Sequence, residues 1–255
     1  MDAVIFDMDG ILIDSERIYL ERTLRFLKQE GIPFQMADVL ALAGGSSAHA
    51  ERFVRKVAGS DVDMADFFRR MDACCPMPDA AQLMFPHERK VLTWLAERYP
   101  LALASSSRME RIQEVLSACR LDGLFRFCLS GEMFTESKPS PQIYLTAANM
   151  LALPPQACVA IEDSTYGILA AKRAGMRVIA RKDERFGFDQ SQADACFSDY
   201  RELPDILCAL QNRRRCKTGP HPAGPVFFCD QRPGSAHTKL RHAALLPFDV
   251  FFTGT

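Results

Sequence analysis

The feature that most constrains this chain is a regular alternation of short apolar runs with segments of helical periodicity between residues 87 and 210. Strands that alternate with helices along a chain form a parallel sheet with helices on both faces. The sequence therefore predicts an α/β fold built on a doubly wound parallel sheet. The predicted strands cover residues 101–105, 125–130, 157–163, 177–181 and 195–197, and the predicted helices cover residues 87–99, 108–119, 140–151, 165–175 and 202–210.

An additional apolar run, Ala3–Phe6, has the composition of a fully buried strand and is expected to join the same sheet. The residues after it carry helical periodicity up to about Cys75, with no clear strand pattern among them. A helical segment thus interrupts the sheet directly after its first strand, where it would cover the carboxyl edge of the sheet as a lid. We predict an α/β core formed by residues 1–14 and 82–210, and an inserted all-helical cap domain formed by residues 15–81.

Residues 211–255 differ in composition from the rest of the chain. They hold seven basic and two acidic side chains with five prolines, whereas residues 1–210 hold 24 basic and 30 acidic ones. The segment has no convincing periodicity, so we predict a basic, proline-containing tail that is poorly ordered. Its charge would suit an acidic partner, which makes a binding protein acting through this tail an alternative function. The apolar stretches VFFCD and LLPFDVFF are unlike a solvated basic arm, so nucleic acid is not an expected partner.

The cysteine usage favours a reducing compartment. Nine cysteines without a C-x-x-C pair indicate reduced thiols rather than a disulfide framework or a zinc site. No run approaches the about 18 consecutive apolar residues of a membrane-spanning helix, and acids stand near the start where a secretory signal would have basic residues. We therefore expect a cytoplasmic protein with no membrane partner, and we expect it to be a monomer.

Two acids, Asp7 and Asp9, follow the first predicted strand, and Gly10 permits a sharp turn just beyond them. Ligands of open α/β sheets bind at the carboxyl ends of strands, which makes this a favourable position for chemistry. Two carboxylates this close repel by about 1 kcal/mol in water and several-fold more in a drier cleft, so a divalent cation would stabilise the pair. The alternative interpretation is a simple turn, because Asp and Gly are common turn residues.

Polar side chains also follow three other predicted strands. Ser105–Ser107 precede a helix whose unpaired N–H groups favour an anion, Lys138 follows the third strand, and Glu162 and Asp163 end the fourth. Oxygen ligands without Cys or His favour Mg²⁺, which commonly bridges to phosphate. Together these groups are suited to phosphoryl transfer. Taken singly, the serines could cap a helix, the lysine could be a surface residue, and the acids could favour a helix N-terminus.

Four short motifs occur in order along residues 1–210: DMDG (7–10), ALASSS (102–107), SKPSPQIY (137–144) and AIEDSTYGILAAKRAG (160–175). In this combination the chain resembles a haloacid dehalogenase superfamily phosphohydrolase of the branch with a helical cap inserted after the first motif. Within that branch it is similar to β-phosphoglucomutase-like proteins and sugar-phosphate phosphatases. The motifs are specific for the superfamily and only weakly specific for the substrate.

The resemblance implies a role for each matching position. Asp7 would be the nucleophile that attacks phosphorus and forms an aspartyl-phosphate. Asp9 would act as general acid toward the leaving oxygen and then as base for the attacking water. This second acid argues against dehalogenation, because dehalogenases of the superfamily lack it and need no metal. Lys138 would be a catalytic residue that holds the transferring phosphoryl oxygens. The implied Mg²⁺ ligands are Asp7, Asp9 through its backbone carbonyl, Asp163 and Glu162, and the implied phosphate-binding residues are Ser105 and Lys138. Ser106 and Arg108, which follow Ser105, are further candidates for phosphate or substrate binding, with an exposed helix cation as the alternative interpretation of Arg108.

The resemblance leaves a mutase as the alternative to a hydrolase. Mutase members carry an arginine in the cap, shortly after a glycine, that binds the second phosphate of the substrate. Here the corresponding stretch reads AGGSSAHAER (43–52), in which Ser47 falls near that place and Arg52 lies a turn or more further on. We therefore expect water as the acceptor, and predict Mg²⁺-dependent hydrolysis of a small phosphorylated metabolite such as a sugar phosphate.

Overall fold

The computed structural model describes residues 1–215, with side chains through residue 211. The predicted tail, residues 211–255, therefore lies almost entirely outside the described residues. Six strands form one sheet in the order β3-β2-β1-β4-β5-β6, and every pairing is parallel. The strands are β1 (Ala3–Phe6), β2 (Leu101–Ser105), β3 (Cys128–Ser130), β4 (Cys158–Glu162), β5 (Arg177–Arg181) and β6 (Ala195–Phe197). The predicted doubly wound parallel sheet is confirmed.

Nine α-helices are found among the described residues. Five of them lie between β1 and β2, which agrees with a helical insertion after the first strand. The helices are α1 (Ser15–Gln29), α2 (Met36–Leu40), α3 (Ser47–Ala58), α4 (Met64–Cys74), α5 (Glu88–Ala96), α6 (Met109–Ala118), α7 (Gln142–Met150), α8 (Thr165–Arg173) and α9 (Leu203–Arg215). None of the helices in this part of the chain combines the length and the apolar character that crossing a bilayer requires.

The apolar strands are buried because the sheet is covered on both faces. Side chains alternate along β1: Val4 and Phe6 belong to a hydrophobic cluster with α5, α6 and α9, whereas Ala3 and Ile5 belong to a second cluster with α7 and α8. All four are fully buried. A strand with both faces covered needs apolar residues at every position, which is why β1 and β4 read as continuous apolar runs.

Several predicted elements differ from the structure in their bounds, and two of these differences concern packing or length. β3 begins at Cys128 rather than at residue 125, since its paired register with β2 starts where Leu103 meets Cys128. Phe125, which suggested strand pattern, instead packs edge-on against Phe6 in the core with ring centroids 6.1 Å apart. At the other end of the chain, α9 continues to Arg215, past the predicted helix end at residue 210.

The helices α1 to α4 share a hydrophobic cluster of their own, in which Phe26 and Phe67 meet edge-on with centroids 5.0 Å apart. The loop after β5 also contributes to this cluster through Phe186 and Phe188. Arg185 in the same loop donates two hydrogen bonds, of 2.9 and 2.7 Å, to the carboxylate of Asp14, the residue before α1. We call α1 to α4 the cap, and its exact boundaries at residues 15 and 81 stay a prediction.

Candidate active site

Asp7 lies directly after β1 and is held by Lys138. The Asp7 backbone N–H continues the pairing with β4 through a 3.0 Å bond to the carbonyl of Ile161. Lys138 Nζ donates to Asp7 Oδ1 at 2.7 Å, to Glu162 Oε1 at 2.7 Å and to the carbonyl oxygen of Ala104 at 3.0 Å. The ammonium therefore joins the carboxyl ends of β1, β2 and β4, three strands that are neighbours in the sheet and distant in the sequence.

Burial and charge shift the acid–base properties of this group. Burial raises the pKa of Asp7 to about 7; Lys138 opposes this shift, and the Glu162 and Asp9 carboxylates add to it. Burial by itself lowers the pKa of Lys138, but the carboxylates of Asp7 and Glu162 more than compensate and leave it well above its ordinary value. Lys138 is consequently a permanent cation between two acids.

Glu162 is oriented by a dense set of contacts. The hydroxyl of Tyr144 donates to Glu162 Oε1, and the backbone N–H of Asp163 donates to Oε2 at 3.2 Å. Gly167 in the first turn of α8 passes directly over the carboxylate, since a Cβ at that position would lie 2.0 Å from Oε1. Glu162 thus has its hydrogen-bonding capacity largely occupied by Lys138 and Tyr144, and it positions the lysine.

Asp163 provides the test of whether the site fits a metal. Asp7, Glu162 and Asp163 each offer a carboxylate oxygen, and these three oxygens lie within 4.8 Å of one another. Asp163 Oδ2 is buried and accepts no hydrogen bond from the described residues. Burial, followed by Glu162 and Glu16, raises the pKa of Asp163 well above its ordinary value. Three buried carboxylates with one ammonium are short of positive charge, so the donor set fits a hard divalent cation such as Mg²⁺.

Gly10 allows Asp163 to come so close to the first motif. Its φ of +73° is in the left-handed region that favours glycine. A Cβ at this position would lie 1.9 Å from Asp163 Oδ2. Any other residue would therefore push the unpaired oxygen of Asp163 away from Asp7.

The Asp9 carboxylate is held by one serine from the cap and one from the core. Ser15 Oγ, at the start of α1, donates to Oδ1 at 2.6 Å, and Ser107 Oγ, in the loop after β2, donates to Oδ2 at 2.7 Å. Ser107 was part of the predicted serine cluster but was not a predicted site residue, and Ser15 had no motif signal. A serine at a helix start is common in any protein, so only the fold identifies these two as partners of Asp9.

The remaining predicted site residues differ in whether they reach the cleft. Ser105 is fully buried, and its Oγ accepts a hydrogen bond of 3.0 Å from the Ser107 backbone N–H, so it stabilises the turn. Ser106 and Arg108 line a cleft together with Lys138 and Asp9. The structure thus brings the candidate residues together at one edge of the sheet, with Ser105 and Glu162 beneath the surface of the cleft rather than on it.

The cleft has a volume of about 1010 Å³ and lies between the core and the cap. Its cap wall includes Tyr19, Arg22, Ser47, Phe68 and Arg69. The cap touches the core beside the site, where the hydroxyls of Ser46 and Ser137 lie 3.2 Å apart. A cover of this kind limits the access of water to a ligand bound in the cleft.

Glu16 is a buried acid in the cleft that no sequence pattern had identified. It stands in the first turn of α1 and is only 8% exposed. Burial raises its pKa to about 8, and the neighbouring Asp9 carboxylate adds to the shift. Acids are favoured in the first turn of any helix, so the sequence offered no sign that this one is buried beside Asp9.

Comparisons with known proteins agree with this geometry. Residues 4–181 match the family model described as haloacid dehalogenase-like hydrolase. The chain is 31% identical over 196 residues to hexitol phosphatase B of Escherichia coli K12, which covers 72% of this chain and 87% of that protein. It is 30% identical over 195 residues to the chloroplastic protein SUPPRESSOR OF QUENCHING 1 of Arabidopsis thaliana, of which it spans 18%, and 71% of this chain is covered.

The crystal structure of β-phosphoglucomutase from Clostridium difficile superposes with a TM-score of 0.69, covering 84% of this chain and 98% of that one. At 19% identity this likeness concerns the fold alone. Together with the family match, the motifs and the site place the chain in a known class. The chain belongs to the haloacid dehalogenase-like hydrolase family. Within that family it is a phosphatase.

Proposed function

We propose that this protein hydrolyses a small phosphorylated metabolite, a sugar phosphate, through an aspartyl-phosphate formed on Asp7 and with Mg²⁺ as cofactor. The observation that carries the proposal is the convergence of Asp7, Lys138 and Asp163 at one edge of the sheet, beside a cleft that also contains Asp9. The likeness to a hexitol phosphatase supports a phosphorylated sugar or sugar alcohol as the substrate class.

In the proposed first step, a carboxylate oxygen of Asp7 attacks phosphorus, and the bond from phosphorus to the ester oxygen breaks. Asp9 gives a proton to the leaving oxygen. In the second step Asp9 takes a proton from a water molecule, which attacks phosphorus and releases inorganic phosphate and the free Asp7 carboxylate. Lys138 binds phosphoryl oxygens, and Ser106 and Arg108 are suited to help because both line the cleft.

We further propose that Asp7, Asp163 and the backbone carbonyl of Asp9 hold Mg²⁺, with Glu162 nearby. Bound there, the cation would offset the repulsion among these carboxylates and part of the charge of the phosphoryl group. The buried, unpaired Asp163 Oδ2 is the feature of this chain that supports the assignment most directly.

A β-phosphoglucomutase-type mutase is the alternative within the same chemistry. A mutase has to bind a second phosphate from the cap. Arg52, the nearest candidate by sequence, is exposed and does not line the cleft. Arg69 and Arg22 do line it, but they pair with Asp66 and Asp72, respectively. This pairing favours water as the acceptor.

Several predictions of the sequence have no structural counterpart here. A binding function of the basic tail concerns residues outside the described part of the chain, and the predicted monomer and the lack of a nucleic-acid partner stay predictions. The seven cysteines among the described side chains are all free thiols, which supports the proposed cytoplasmic location.

The proposed function is tested by measuring inorganic phosphate released from p-nitrophenyl phosphate and from a panel of sugar and polyol phosphates, with Mg²⁺ and with excess chelator. Asp7→Asn should lower kcat by at least about a thousandfold, because an amide cannot act as the nucleophile. Asp205→Asn, an exposed acid on α9, is the matched control and should behave as the wild type. Undiminished turnover by Asp7→Asn or in chelator would contradict the mechanism. Isomerisation of a hexose 1-phosphate to its 6-phosphate with little free phosphate would favour the mutase.

A further inference from the structure

Arg111, in the first turn of α6, has an unusual set of contacts for a cleft residue. Its side chain is 20% exposed, and it lines the same cleft as Asp9. The Nε and Nη2 atoms are buried and have no acceptor among the described residues. These two atoms form one edge of the guanidinium, whose parallel N–H groups match the two oxygens of a carboxylate or phosphate.

The contacts within α6 do not explain this arginine. Its ion-pair partner Glu114 is 59% exposed and lies 3.4 Å from Nη1, so the pair contributes little and leaves the other edge free. A cation in the first turn of a helix is also unfavourable, because the N-terminus of a helix carries partial positive charge. Arg108, one turn earlier, adds a second cation on the same wall of the cleft. An anion bound here would relieve each of these costs.

Arg111 lies where it could bind the end of a small substrate that is remote from the reacting phosphate. Tyr19, on the cap wall, lies close to both Asp9 and Arg111: the Asp9 carboxylate and burial raise the pKa of its hydroxyl, whereas the charge of the Arg111 guanidinium and its hydrogen bond to that hydroxyl oppose the shift. Arg111 and Asp9 thus both lie near Tyr19 in the cleft. A phosphate ester placed at Asp7 would reach Arg111 with its other end.

We propose that Arg111 is a specificity-determining residue that binds a second oxyanion, a carboxylate or a phosphate, at the non-reacting end of the substrate. This inference rests on the proposed function and narrows its substrate class to phosphorylated sugar acids or sugar bisphosphates. Neutral sugar monophosphates would be poorer substrates, because they leave the buried edge of the guanidinium without a partner.

Three esters of one carbon skeleton test the proposal: glucose 6-phosphate, 6-phosphogluconate and glucose 1,6-bisphosphate. We expect kcat/KM of the wild type to be at least about tenfold higher for one of the two oxyanion-bearing esters than for glucose 6-phosphate. Which of the two is preferred identifies the oxyanion as carboxylate or phosphate. Arg111→Gln should lower the ratio of kcat/KM for the preferred ester to kcat/KM for glucose 6-phosphate by about tenfold or more, chiefly through KM. Arg111→Lys should give an intermediate ratio, since lysine keeps the charge but lacks the two parallel N–H groups of the guanidinium.

Arg126→Gln is the matched control, because Arg126 is exposed and outside the cleft and its loss removes the same charge. Circular dichroism establishes that each variant is folded before its ratio is measured. A wild type that hydrolyses p-nitrophenyl phosphate but prefers glucose 6-phosphate, or an Arg111→Gln ratio equal to that of the wild type, would overturn the inference and leave the proposed function standing. A wild type that hydrolyses none of the four esters would overturn both.

Discussion

The core wall and the cap wall of the cleft carry their charges differently. On the core wall, Lys138 is shared between Asp7 and Glu162, and Asp163 keeps a buried oxygen without a hydrogen bond. The guanidinium edge of Arg111, on the same wall, is also buried and unpaired. Unpaired buried polar atoms are costly, so their concentration on one wall indicates where ligands bind.

On the cap wall the two arginines that line the cleft are paired with neighbouring acids. Arg22 donates to Asp72 and to the carbonyl of Cys75, and Arg69 pairs with Asp66. Arginines that are already paired attract an anionic substrate less strongly. The difference between the walls suggests that the core both performs the chemistry and recognises the anionic groups, while the cap excludes water.

The largest effect is expected from Lys138→Met. Without the ammonium, the buried carboxylates of Asp7 and Glu162 face each other uncompensated, which should cost about 3–5 kcal/mol of unfolding free energy as well as phosphatase activity. Chemical denaturation and phosphate release measure the two losses. Lys182→Met removes an exposed lysine and serves as the control. Retention of wild-type stability by Lys138→Met would show that the core wall is not held by this ammonium.

Asp163→Asn should separate metal binding from folding. A cation that binds only the native state stabilises it by about 2.7 kcal/mol at one hundred times its dissociation constant, so Mg²⁺ should raise the melting temperature of the wild type. In Asp163→Asn most of this increase should disappear, whereas the exposed Asp205→Asn should keep it. An equal Mg²⁺-induced shift in Asp163→Asn would remove this residue from the proposed ligands.

Glu16→Gln tests the protonation state of Glu16, the buried acid of α1 that lies near Asp9 of the core. The folded-state pKa of Glu16, about 8, exceeds the ordinary value of 4.5, so the folded state binds a proton that the unfolded state has lost. Stability conferred by this proton is fully present at pH 4.5 and below, and decreases as the pH rises through 8. In chelator, Glu16→Gln should be more stable than the wild type at pH 8.5 by roughly 2–4 kcal/mol and equal to it near pH 4.5. Parallel pH profiles of the two proteins would contradict the buried, protonated state.

Arg69→Gln tests whether the cap cations are dispensable. Arg69 is 71% exposed and pairs with Asp66 on the same helix, so we expect kcat/KM for sugar phosphates to change by no more than about twofold. A large loss of kcat/KM in Arg69→Gln, confined to substrates with two anionic groups, would show that the cap wall rather than the core wall recognises the second anion.

The smallest effect is expected from truncation after Arg215. Residues 1–215 contain the whole described site, and phosphate release should stay within about twofold of the full chain. A truncated protein that folds but is inactive would favour a function for the basic tail.

The sequence predicted the strands and the acids at their ends because both signals are local. β1, β2, β5 and β6 were predicted at the residues where they occur, since apolar runs of this length have few alternatives. The start of β3 was missed because Phe125 is apolar for a tertiary reason, its contact with Phe6. An apolar residue does not reveal by itself whether it pairs in a sheet or fills a core.

The partners of the candidate residues were harder to predict. Ser107 meets Asp9 across 98 residues of sequence, and Tyr144 meets Glu162 only because α7 packs beside β4. The burial of Glu16 depends on how the first turn of α1 packs beside Asp9. These contacts follow from how the elements pack, and a single sequence carries no record of that packing.

The loop after β5 makes the cap and the core less interchangeable than their order along the chain suggests. Phe186 and Phe188 belong to the core segment of the sequence but pack among the cap helices, and Arg185 donates two hydrogen bonds to Asp14, the residue before α1. In a chimaera that exchanges only residues 15–81 for the cap of a relative, Phe186 and Phe188 would therefore have to pack against cap helices that did not evolve with them. Recombination among such proteins should succeed when the cap and the loop after β5 are exchanged together. The unit of exchange is therefore defined by packing and consists of two separate stretches of chain.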